Sequence, residues 1–145
     1  MRLTTFTDYS LRVLIYLAVS DDGQPTIREI AQRYDISRNH LMKVVQELSQ
    51  KGYLIASRGK RGGLRLGIPP AEIRIGALVR HMESDFALAE CLGDKGHCVL
   101  TPACKLRSVF TEALDAFFAA LDAYTLQDIV SGRKRAKLLK ILSLE

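Results

Sequence analysis

Two capped helical segments three residues apart, followed at once by a glycine-rich hairpin, restrict this chain more than any other feature of its 145 residues. Thr26-x-x-Glu29 is a capping box ahead of Ile27, Ile30 and Ala31, so a short helix runs to about Tyr34. Ser37 caps a second helix, in which Leu41, Val44, Val45 and Leu48 recur at helical spacing, and Gly52 stands where a C′ glycine belongs. Joined by Asp35-Ile36-Ser37, the two make a helix-turn-helix. Tyr53-Leu54-Ile55-Ala56-Ser57 and Leu64-Arg65-Leu66 then read as short strands around Arg58-Gly59-Lys60-Arg61-Gly62-Gly63, a hairpin placed as a wing. That turn lacks the G-x-x-x-x-G-K-[ST] order and no helix follows it, which excludes a nucleotide phosphate loop.

On either side the pattern stays helical. A first helix starts after Thr4 or Thr5 and runs to about Ser20, with Phe6, Tyr9, Val13, Leu14 and Leu17 on one side, until Asp21-Asp22-Gly23-Gln24-Pro25 breaks it. Beyond Pro69-Pro70, the residues Ile75, Leu78, Val79 and Met82 give one face of a further helix. Leu106, Phe110, Leu114, Phe117, Leu121 and Tyr124 then recur at steps of three and four, widened by Val109 and Phe118. So long an apolar stripe exceeds what a small winged domain can cover, and dimerisation through it is expected. The predicted fold class is therefore mainly α with a small β-hairpin. A winged helix-turn-helix domain occupies residues 1–82 (helix-turn-helix about 27–51, wing about 53–67), a loop and dimerisation helix 83–130, and a frayed basic tail 131–145. No apolar run approaches the eighteen or so residues of a membrane span, so no membrane partner is expected.

Charge divides along the same boundaries. Residues 1–82 carry thirteen Lys or Arg against seven Asp or Glu, whereas residues 83–130 carry three against eight. The basic N-terminal part suits phosphate contact and double-stranded DNA is its expected partner. From the second helix of the pair, Arg38 can read guanine and Asn39 adenine, His40 lies beside them, and Lys43 suits phosphate. Arg58, Lys60 and Arg61 of the wing suit a narrow A·T-rich minor groove.

All three cysteines, Cys91, Cys98 and Cys104, fall in the acidic part as a C-x6-C-x5-C run. Two glycines and a proline make this stretch a loop, so core packing explains the thiols poorly. An odd number leaves one over from any disulfide, and the N-terminus shows no hydrophobic leader, so a cytoplasmic location is expected. Structural zinc prefers pairs two to four residues apart. An iron-sulfur cluster accepts a longer wrapping loop. Spacing favours the cluster and leaves zinc open. No C-x-x-C pair, activated nucleophile or paired carboxylates argues for an enzyme.

Taken together, several stretches resemble the winged-helix iron-sulfur transcriptional repressors, in particular their nitric-oxide-sensing NsrR branch. They are Leu3-Thr4-Thr5-Phe6-Thr7-Asp8-Tyr9-Ser10-Leu11-Arg12, Ser37-Arg38-Asn39-His40, the wing turn, Ile73-Arg74-Ile75-Gly76 and Thr101-Pro102-Ala103-Cys104. The resemblance covers nearly the whole chain. It implies a homodimer whose Cys91, Cys98 and Cys104 bind a cluster, [4Fe-4S] favoured and [2Fe-2S] the alternative. It also implies a fourth ligand: in that branch an aspartate of the other subunit completes the site, and Asp8 stands at its motif position. As a purely structural residue Asp8 would serve as the acid in the first helical turn, three residues after Thr5. The sister branch IscR uses a histidine three residues after the third cysteine, where this chain has Arg107, and His97 is a further candidate donor beside Cys98.

The function so implied is repression by a cluster-bound dimer, relieved by nitric oxide. A carboxylate is a hard ligand among soft thiolates and the easiest to displace, which would connect sensing to dimer geometry. A zinc-stabilised or thiol-redox-sensing winged-helix regulator without a cluster is the alternative.

Overall fold

The computed structural model describes residues 2–21 and 23–144; Asp22 of the predicted breaker and Glu145 of the tail lie outside the described residues. Helix α1 (Thr5–Val19) begins at Thr4, whose side chain accepts a hydrogen bond from the Thr7 backbone, and buries Val13, Leu14, Tyr16, Leu17 and Val19. Helix α2 (Ile27–Tyr34) has the complete capping box: the Thr26 hydroxyl accepts from the Glu29 amide, and the Glu29 carboxylate accepts from the Thr26 amide at 2.6 Å. Those bonds hold the Glu29 carboxyl below the usual carboxylate range, so the contribution of the box is present at neutral pH and fades as pH falls through that lowered value. Thr26→Ala is expected to cost about 1 kcal/mol, read as a lower urea midpoint with an unchanged slope.

Asp35, in the left-handed region at φ 53°, turns the chain into helix α3 (Arg38–Gln50), whose first turn is closed by the Ser37 hydroxyl. Gly52 follows α3 at φ 80°, a conformation an L side chain resists. Strands β1 (Leu54–Ser57) and β2 (Gly63–Leu66) pair antiparallel with Leu54 opposite Leu66 and Ser57 opposite Gly63. Helix α4 (Ile75–Met82) comes next, then an irregular loop, then α5 (Leu106–Asp122), α6 (Leu126–Val130) and α7 (Arg133–Ile141).

Two apolar clusters make the core: a smaller one of Ile75, Val79 and Phe118 between α4 and α5, and a main one that runs through the rest of the molecule. Leu14 of α1, Ile30 of α2, Leu41 and Leu48 of α3, Leu54 of β1, Leu78 of α4 and Leu126 of α6 are all fully buried within it. Tyr34 lies at its edge, its hydroxyl donating to the Arg12 carbonyl at 2.9 Å, and burial pushes its phenol up to about 12.

The segment after α5 departs from the sequence reading. Residues 126–142 do not belong with the cysteine loop: α6 returns to α1, and its Leu126 and Val130 enter the main core. The expected frayed tail forms α7 instead, with Leu142 buried and Leu138, Leu139 and Leu144 packed against the core. Arg135 donates to the Ala18 and Val19 carbonyls at 3.1 and 3.4 Å and pairs with Asp21, so one basic side chain satisfies the open end of α1. By contrast, α5 is left largely uncovered within the chain. Phe118 alone is buried, Leu114, Phe117 and Leu121 are half-buried, and Leu106 and Val109 are exposed.

A clasp fixes the C-terminal end of α5. The Ile75 amide donates to the Tyr124 carbonyl and the Leu126 amide to the Ile73 carbonyl, while Arg74 donates to the Asp122 carbonyl at 2.9 Å. Arg80 forks onto both Asp122 carboxylate oxygens at 2.8 Å and lies 4.1 Å from the centre of the Phe118 ring. The guanidinium keeps the Asp122 carboxyl below its ordinary range. The stretch Ile73-Arg74-Ile75-Gly76 is thus an anchor for the long helix.

Candidate functional site

Helix α3 turns Leu41, Val44, Val45 and Leu48 inward and leaves Arg38, Asn39, Met42 and Lys43 exposed on the opposite face. His40 is only half-exposed, because its ring stands edge-on against Tyr9 of α1 with centroids 4.9 Å apart. Arg58, Lys60 and Arg61 are exposed at the hairpin tip. Among the described residues, Arg38, Lys43, Arg58, Lys60 and Arg61 form no ion pair; the pairs present use Arg12, Lys51, Arg80 and Arg135. An unneutralised cationic surface of this kind is what a phosphate backbone requires.

The cysteines occupy the irregular loop between α4 and α5. Cys91 lies in a 3-10 turn (Glu90–Leu92), Cys98 precedes a second turn (Thr101–Ala103), and Cys104 ends that turn just before α5. All three thiols are free and half-buried, and none belongs to either apolar core cluster. Gly96 lets the two arms approach: a Cβ there would lie 2.2 Å from the Glu90 carbonyl oxygen and 3.1 Å from the Cys91 Cα. Beside the cysteines, Val99 is 90% and Leu100 64% exposed. Among the described residues, no three His, Cys, Asp or Glu side chains of this one chain converge as a metal-holding group. The donor chemistry nonetheless suits an iron-sulfur cluster, since three uncommitted soft thiols share one short loop. His97 is exposed.

Asp8 lies on α1. Because the cap is Thr4, Asp8 falls one position beyond the capping-box place, and its carboxylate instead meets Arg12 at 2.8 Å in a half-exposed pair. Sequence reasoning missed Glu83, the first residue of the cysteine loop. Its carboxylate accepts from the Thr4 amide at 3.0 Å and from the buried Thr7 hydroxyl at 2.6 Å, tying the loop to the turn that carries Asp8. Residues this far apart in sequence give no local signal of such a bond.

A groove of about 690 Å³ runs between the start of α1, α4 and α5, floored by Leu3, Leu11, Val79, Phe86, Leu114 and Phe117. No helix among the described residues is long and apolar enough to cross a membrane.

A helix-turn-helix with a two-stranded wing, a free cationic face and an uncovered long helix define a winged-helix DNA-binding regulator. The family model of Rrf2, iron-dependent transcriptional regulator, matches residues 3–132, and the chain belongs to that family. It is 50% identical over 145 residues to the HTH-type transcriptional regulator NsrR of Bacillus licheniformis, covering 99% of this chain and all of that one. The NsrR of Bacillus subtilis is also 50% identical, over 97% of this chain and 99% of its own. Among solved structures, CymR, the global cysteine regulator of B. subtilis, is 30% identical with a TM-score of 0.72, over 89% of this chain and 95% of that one. IscR of T. potens, 22% identical with a TM-score of 0.73 over 94% and 91%, shares the fold. The chain is a transcriptional regulator and not an enzyme.

Proposed function

We propose that this chain is a cytoplasmic, cluster-dependent repressor that works as a homodimer, binds operator DNA and is released from it by nitric oxide. The observation that carries the reading is the loop of three free thiols, in a chain half identical over its length to regulators called NsrR. Cys91, Cys98 and Cys104 hold the cluster, [4Fe-4S] in preference to [2Fe-2S], and Asp8 of the partner subunit supplies the fourth donor. When bound, the cluster contributes iron that reacts with nitric oxide.

This chain's own residues convert that reaction into a change of shape. Among the described residues the Asp8 carboxylate is held by a half-exposed partner, Arg12, so exchanging that contact for a metal costs little. The Glu83 bonds to Thr4 and Thr7 make the cysteine loop and the first turn of α1 move together. The uncovered face of α5 and its groove supply the apolar area for pairing, and Val99 and Leu100 add cover near the thiols. In the paired state two copies of α3 meet successive major grooves, roughly 34 Å apart. Arg38, Asn39 and His40 reach base edges, Lys43 reaches phosphate, and Arg58, Lys60 and Arg61 enter the flanking minor groove.

Iron and acid-labile sulfide measured after purification without oxygen test the reading: about four of each per chain are expected. Stoichiometric zinc, or a metal-free protein that binds its operator at full strength, would overturn it. Asp8→Asn is expected to leave stability within about 0.5 kcal/mol, since it breaks one exposed i,i+4 pair. It should also alter the absorption spectrum of the loaded protein and its first, fast phase of reaction with nitric oxide. If spectrum and rate match the parent, Asp8 is no ligand.

A further inference from the structure

Met42 is out of place for a surface residue. Of the large apolar side chains that remain exposed among the described residues, it is the one on α3, at 47% exposure, on a face otherwise formed by Arg38, Asn39, Lys43 and Gln46. It projects into a shallow groove between the start of α2, the outward face of α3 and β1, lined by Ile27, Asn39, Met42, Lys43, Gln46 and Ala56. Asn39 stands three residues before it and Gln46 four residues after, so an amide, a thioether and a second amide follow one another along one stripe of the helix. Lys43, next to Met42, is an exposed cation.

That order of groups matches one kind of surface. In the major groove an adenine offers N7 and N6 to a side-chain amide, and a thymine offers its 5-methyl group to an apolar contact. A flexible thioether can follow a methyl group whose position shifts by a fraction of an ångström. The neighbouring cation fits an anionic occupant and disfavours an apolar protein face. We propose that Met42 is a specificity-determining residue that packs on the 5-methyl group of a thymine, with Asn39 and Gln46 directed at adenines on either side. The inference rests on α3 being the helix that enters the major groove.

The test uses the full-length, cluster-loaded protein. Selection from a pool of random duplexes first defines the preferred operator, and each thymine in it is then replaced singly by uracil, which removes the methyl group and leaves base pairing intact. One thymine per half-site is expected at which uracil weakens binding about fourfold, the worth of one buried methyl. Met42→Ala should lose a similar factor on the thymine operator and be indifferent to uracil at that position, with Met42→Gln doing the same while preserving helix propensity. Thermal midpoints and dimer stoichiometry should match the parent.

The proposal is overturned if uracil is silent at every position, or if the uracil penalty persists unchanged in both variants. A change of oligomeric state on substituting Met42, without loss of thymine discrimination, would assign the groove to a second copy of the chain and equally reject the idea. If selection recovers no preferred sequence at all, the failure lies in the recognition role of α3, and the inference falls with it.

Discussion

Replacing Cys91, Cys98 or Cys104 with Ala is expected to remove iron, sulfide and operator binding together, while leaving the cluster-free fold as stable as the parent. The two halves of this result have separate causes. Each thiol is free and half-buried on an irregular loop, and none contributes to either apolar cluster, so deleting a sulfur opens no core cavity. Stability in the cluster-free state should then change by no more than about 0.5 kcal/mol. The loaded states must not be compared for this purpose, because a metal that binds only the folded chain adds its own binding free energy. Loss of the cluster would have a different origin: on the proposed reading each cysteine is a negatively charged soft donor, for which water is no substitute. Thermal melts of the cluster-free proteins, iron analysis and an operator titration check all three. A variant that keeps full iron and sulfide content would show that its cysteine is not a ligand.

How far such results could be anticipated depends on whether the determining contact is local. The helix-turn-helix and wing were legible because Thr26, Glu29, Ser37 and Gly52 act within four residues of where they stand. The start of α1 was nearly so. Placing the cap at Thr4 rather than Thr5 moves Asp8 out of the capping box and into a pair with Arg12, which changes what its carboxylate does in the folded chain.

The cysteine loop was legible as a loop but not in its path. That path depends on Gly96 lying against Glu90, and on Glu83 bonding to Thr7 some 76 positions away. Helix α6 carried an overlooked signal of its own, for Thr125 and Asp128 form a complete capping box with Asp in place of the usual Glu. With only five residues it shows too little periodicity to be found otherwise. The anchoring role of Ile73-Arg74-Ile75-Gly76 was equally hidden, because the partners that make it an anchor, Asp122, Tyr124 and Leu126, lie some fifty positions on, around the far end of α5.

The C-terminal segment gives the sharpest divergence between sequence and structure, and hence the most discriminating substitution. Arg133, Lys134, Arg135, Lys137 and Lys140 make the segment look solvated, yet Leu138, Leu139 and Leu142 lie on the side that meets the core. Leu142 is 5% exposed, and Arg135 closes the end of α1 through the Ala18 and Val19 carbonyls. Leu142→Ala is therefore expected to cost about 2–5 kcal/mol, the range for truncating a packed leucine. Arg135→Ala should cost less, since the carbonyls it leaves behind are close enough to the surface to take water. Urea unfolding of the cluster-free protein measures both. If residues 131–144 were a frayed tail, Leu142 would already be in water and its truncation would move the midpoint by less than about 0.5 kcal/mol. A shift of several times that size, with Arg135→Ala in between, is the signature of α7 docked on the end of α1.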